Sequence, residues 1–125
     1  MNQEAAVRAR LQELMARLPG VVVEDANGHS GFTVRGRRFA WLLVDHHGDG
    51  RVALSLKAPP GGQQALVTAD PQRYAVPSYL GARGWVSVLL DGSVEADWDE
   101  VETLVEQAWR LSATKRAVSV YDAQR

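Results

Sequence analysis

The chain contains no cysteine, which excludes a disulfide scaffold, a thiolate nucleophile and any cysteine-ligated zinc or iron–sulfur centre. It has no run of about 18 apolar residues, so no membrane-spanning helix is expected. It also lacks a dominant charge: fourteen basic residues against fifteen acidic ones leave a formal charge of -1 at pH 7. The opening MNQEAAVRAR shows no basic patch followed by an apolar stretch, so a cytoplasmic protein is expected. What remains is ordinary globular material. Of the 125 residues, 46% are apolar and 23% charged, enough for one core and too few for two. A single domain over residues 1–125 is therefore expected.

Hydrophobic spacing divides the chain into helix, sheet and helix. Val7, Leu11, Leu14, Met15 and Leu18 follow a helical stripe, with Asn2 as a weak cap and Pro19-Gly20 as the stop. The period then shortens to two. Val21 to Val23, Phe32 to Val34, Phe39 to Val44 and Val52 to Leu56 are separated by Asn27-Gly28, Arg35-Gly36 and the loop His46 to Gly50. This pattern predicts three or four antiparallel strands. Leu54 and Leu56 alternate with Ser55 and Lys57, implying a sheet buried on one face and wet on the other. Gln63 to Ala69 suits a short helix, and the stretch from Asp70 to Gly84 reads as irregular. Trp85 to Leu90 is a further strand. Asp97 with Glu100 forms a capping box for a helix whose stripe runs through Trp98, Val101, Leu104, Val105, Ala108, Leu111 and Ser112. Its acidic start and a basic end at Arg110, Lys115 and Arg116 match the helix dipole. Fraying is expected after Val118. The class is α+β: a two-layer fold with a mainly antiparallel sheet packed against N- and C-terminal helices.

Charge is unevenly distributed. The chain carries ten basic and seven acidic residues through Trp85, then four basic and eight acidic, so a net of +3 is followed by -4. The densest basic group is Arg35, Arg37 and Arg38 around Gly36, joined by Arg51 and Lys57. Guanidinium groups on a tight turn suit phosphate oxygens, so these five are the candidate nucleic-acid contacts. Arginine outnumbers lysine 12 to 2, however, and a chain so rich in arginine will cluster it by chance. A second candidate is a groove of Tyr74, Tyr79 and Trp85 beside Arg83, where rings could stack on an apolar ligand and Arg83 could meet an anion. That arrangement would make the protein a protein- or small-ligand-binding module.

Catalytic signatures are missing. No serine lies in a G-x-S-x-G elbow, and Gly81-Ala82-Arg83-Gly84 precedes a strand without the spacing of a phosphate loop. His46 and His47 point in different directions on an extended chain. Metal binding would need them to converge with His29, Asp45 or Asp49, which no motif demands. Neither a metal nor a cofactor is expected, and binding rather than catalysis is the expected role.

Several segments in order carry a wider likeness. They are Gly31-Phe32-Thr33-Val34-Arg35-Gly36-Arg37-Arg38-Phe39-Ala40, then Leu54-Ser55-Leu56-Lys57, Val76-Pro77-Ser78-Tyr79-Leu80, Gly84-Trp85-Val86-Ser87-Val88 and Asp97-Trp98. In this order and spacing, from about residue 5 to residue 117, the chain resembles the MmcQ/YjbR-like family. The resemblance implies an α+β fold similar in shape to secretion-chaperone domains, no assigned catalytic residue, and a label of DNA-binding protein. Phe32, Phe39, Pro77, Tyr79, Trp85, Trp98 and Lys115 match its pattern. Arg37 and Arg38 stand where a lysine is common, and Ala108-Trp109 replaces a serine–tyrosine pair. DNA is thus one expected partner, and a protein or small ligand the other.

Overall fold

A computed structural model describes residues 3–45 and 48–124. Its elements, in order, are α1 (Gln3–Ala16), β1 (Val21–Ala26), β2 (His29–Val34), β3 (Arg37–Val44), β4 (Val52–Leu56), α2 (Gly62–Ala69), β5 (Tyr74–Ala75), a 3-10 turn (Leu80–Arg83), β6 (Val86–Leu89), α3 (Trp98–Ser112) and α4 (Lys115–Ala123). The strands form one antiparallel sheet in the order β1-β2-β3-β4-β6-β5. The expected α+β, two-layer architecture is what forms. Six strands stand where the periodicity predicts three or four hairpin strands and the Trp85 strand, because β5 is two residues within a stretch that has no periodicity.

Both tight hairpins close on two consecutive residues with positive φ: Asn27 and Gly28 at 54° and 82°, and Arg35 and Gly36 at 49° and 77°. This is the turn whose twist matches paired strands. Between β2 and β3 the register shifts at Phe32/Thr33, so that Ala40 faces Phe32 while Arg38 faces Thr33. Phe39 is the extra residue of a bulge, and it is fully buried.

Val7, Leu11, Leu14 and Met15 of α1, with Val101, Leu104, Val105 and Ala108 of α3, bury against Phe32, Leu42, Leu54, Leu56, Val86 and Val88. These sheet residues alternate onto a single face, so the helices cover one side. The Asn2 cap lies outside the described residues. Asp97 caps α3 as expected, its carboxylate accepting from the Glu100 N–H at 3.2 Å. Leu111 departs from the expected stripe: it is exposed, while its neighbour Trp109 is fully buried and donates its indole N–H to the Pro19 carbonyl at 3.1 Å.

The C-terminus is also corrected. The expected fraying after Val118 gives way to a helix that runs to Ala123. The chain breaks at Ala113 and Thr114, and the Thr114 hydroxyl accepts from the Ala117 N–H at 3.1 Å to start α4. Lys115 and Arg116 therefore open a helix rather than close one. Packing holds α4 in place against that unfavourable polarity. Tyr121 meets Trp109 edge to face at 5.2 Å, and Arg110 bridges Glu106 and Asp122. Among the described residues no helix is long and apolar enough to cross a membrane.

Candidate functional site

The sheet's second face holds Arg38, Trp41 and Leu43 of β3, Ala53 and Ser55 of β4, and Ser87 and Leu89 of β6. The alternation predicts it to be wet, and at Ser55 it is not. Ser55 and Ser87 are both buried and share a hydrogen bond at 2.9 Å. The chain from Val76 to Leu80 crosses this face as a wall, leaving a groove of about 330 Å³. Leu43, Ala53 and Leu89 form its apolar floor, Val76, Pro77 and Leu80 its side, and Asp49 and Arg51 one end. Ala53 lies between Leu43 and Leu89 in the strand ladder.

Two devices hold the wall. Gln63, buried at the start of α2, donates its side-chain amide to the carbonyls of Gly81 (2.9 Å) and Trp85 (2.6 Å). A Cβ at Gly81 would run into the Val76 side chain, so only glycine permits this approach. Between them, the Leu80 N–H donates to the Ser78 carbonyl at 2.6 Å across Tyr79, whose φ and ψ are 62° and -56°. That is the strained, positive-φ form of a γ-turn. It leaves the Tyr79 ring 85% exposed at the rim. Nothing in the sequence pattern marks Gln63. Gly81 was legible only as a loop glycine.

The five basic candidates are not brought together as a patch. Arg35 and Arg37 stand exposed at the hairpin tip and make no ion pair among the described residues. Arg38 departs from the expected solvated hairpin: its guanidinium stacks on Trp41 at 4.0 Å, pairs with Glu24 at 3.1 Å and fills the space above Gly31. Lys57 donates to the Ser112 hydroxyl at 3.2 Å. Arg51 and Lys57 flank the two ends of β4 (Val52–Leu56), about 20 Å apart along the strand. Arg51 pairs with Asp91 at 2.9 Å and reaches the Ser93 hydroxyl at 3.3 Å. Burial alone would raise the Asp91 carboxyl. Hydrogen bonds from Ser93 and Arg51, with the guanidinium charge, outweigh that and hold it at about 2.

The four groove candidates are likewise dispersed. Tyr74 is buried on the helix side with its hydroxyl bonded to Glu100, so it lines no groove. Trp85 is buried, leaving its ring no open platform. Arg83 borders a separate depression of about 300 Å³ between Pro59, Gly61 and Gly84. Of the four, Tyr79 alone adjoins the groove, through its neighbours Ser78 and Leu80.

His46 and His47 lie outside the described residues. His29 accepts from the Val44 N–H at 3.0 Å, and among the described residues no three histidine, aspartate or glutamate side chains gather as a metal site.

Residues 16–111 match the family model YjbR. The crystal structure of Deinococcus radiodurans protein DR2400, with family-model domain DUF419, is similar at a TM-score of 0.65 and 28% identity, over 81% of this chain and 74% of that one. A search of curated proteins finds no match.

Proposed function

The chain belongs to the YjbR family, and from that premise we propose that it is a binding module whose small ligand lies in the groove on the helix-free face of the sheet. The observation that carries this reading is the groove itself. It is a concave, mostly apolar space of about 330 Å³ with a few polar groups at its ends, which is the usual build of a small-molecule site. The anchored wall adds to it, because strained backbone persists only where its surroundings over-determine it, and such places cluster at ligand clamps. Anilinonaphthalene sulfonate is a suitable probe: its fluorescence should rise saturably with one molecule bound per chain. Ala53→Trp, which fills the floor, should abolish the rise while the melting curve stays cooperative. Unsaturable fluorescence, or binding indifferent to Ala53→Trp, would refute the proposal.

A second reading, association with DNA, is favoured by Arg35 and Arg37, which stand exposed at a tight turn and make no ion pair among the described residues. Two phosphate contacts give a slope of about -1.8 for log affinity against log salt. Fluorescence anisotropy with short duplex and single-stranded DNA at low and physiological salt measures it. The Arg35→Gln/Arg37→Gln variant should lose the slope, and absence of binding at low salt excludes the reading.

A further inference from the structure

The floor of the groove changes chemistry away from Arg51. There Ser55 of β4 and Ser87 of β6 sit opposite one another in the ladder, their hydroxyl oxygens 2.9 Å apart. Their relative exposures are 0% and 7%. Each hydroxyl brings one donor proton. The bond between them uses one, and among the described residues neither hydroxyl has another partner. Backbone acceptors offer little help, since both strands are paired on both sides: β4 with β3 and β6, and β6 with β4 and β5. A buried hydroxyl proton without an acceptor is costly and uncommon. Ser87 lines the groove, so this spare donor belongs to the floor of the cavity.

We infer that the groove takes a small apolar molecule bearing a carbonyl-type oxygen, whose apolar body covers Leu43, Ala53 and Leu89 and whose oxygen accepts from the Ser55–Ser87 pair. The inference rests on the groove being the ligand site and adds what that ligand must carry. An apolar ligand without an acceptor would seal the spare proton away from any partner. A ligand with one converts the same proton into a buried hydrogen bond. The serine pair therefore works as a selectivity element for an acceptor oxygen, at the end of the groove opposite the Arg51–Asp91 ion pair.

Acetophenone and ethylbenzene test this directly, being close in shape and differing in the carbonyl oxygen. Titration of each into the unmodified protein, followed by the methyl resonances of Leu43, Ala53 and Leu89, should show acetophenone binding about tenfold more tightly. The Ser55→Ala/Ser87→Ala variant, which removes both partners together, should bring the two affinities within twofold of each other. Equal affinities in the unmodified protein would overturn the inference and leave the groove standing. A preference that survives in the double variant would overturn the role of the serine pair. If neither compound moves the three methyl groups, the groove reading itself falls, and this inference with it. The two-compound comparison requires no variant to fold.

Discussion

Gln63→Leu tests how the groove is built, because it removes both hydrogen bonds to the wall and almost no volume. In the native protein the Gln63 amide donates to Gly81 and Trp85 carbonyls at 2.9 and 2.6 Å from a side chain only 7% exposed. Each intramolecular hydrogen bond contributes about 1 kcal/mol net, and leaving a buried acceptor bare costs about 1–3 kcal/mol. The Trp85 bond is buried, so its carbonyl bears the larger figure. The Gly81 bond is only partly buried, and solvent recovers some of its loss. Together they give about 2–4 kcal/mol, a large share of the roughly 5–15 kcal/mol typical of a domain. Urea unfolding should show the midpoint falling with the slope unchanged. Hydrogen exchange should locate the damage: the amides of Leu80, Gly81, Gly84 and Trp85, which close the wall's own turns, should exchange faster than those of β3. A loss below about 0.5 kcal/mol, or uniform exchange, would refute the claim that Gln63 holds the wall.

Tyr79→Gly should stabilise the fold by about 1 kcal/mol, since relief of roughly 1–3 kcal/mol of backbone strain exceeds glycine's entropic cost; a lower melting temperature would contradict the γ-turn. The Asp91 carboxyl should titrate near 2 by carbon NMR. Its folded pKa is depressed, so its stabilising effect is complete above the unfolded value of about 4 and lost as pH falls through the folded one. Arg51→Gln should bring that titration back toward 4. Arg110→Met should raise exchange across α4 while α3 stays protected, because Arg110 ties Glu106 of α3 to Asp122 of α4 at 3.0 and 2.5 Å; equal loss in both helices would argue against α4 being held by this clasp.

The elements that were legible in the sequence are those whose signal is local and periodic. The α1 stripe, the Asn27-Gly28 and Arg35-Gly36 turns and the Asp97 cap each report a geometry fixed by the residues themselves. The same logic failed where packing outweighs local preference. Lys115 and Arg116 suit the end of a helix by dipole alone, yet Thr114 and the Tyr121–Trp109 contact make them the start of another. Tyr74 and Trp85 look like ligand platforms by residue type, and the fold spends both on burial.

By itself the sequence determined the helix stripes, the hairpin turns and the inward face of the strands, because backbone geometry maps these periods onto space without reference to distant residues. Tertiary structure alone decided which arginines remain available and where a groove opens. Arg38 is occupied by Glu24 and Arg51 by Asp91, partners 14 and 40 residues distant along the chain. The groove exists because residues 76–80 lie across strands they do not pair with, held by Gln63 from another element. Contacts between segments so far apart depend on how the sheet is ordered, and side-chain period carries no information about that.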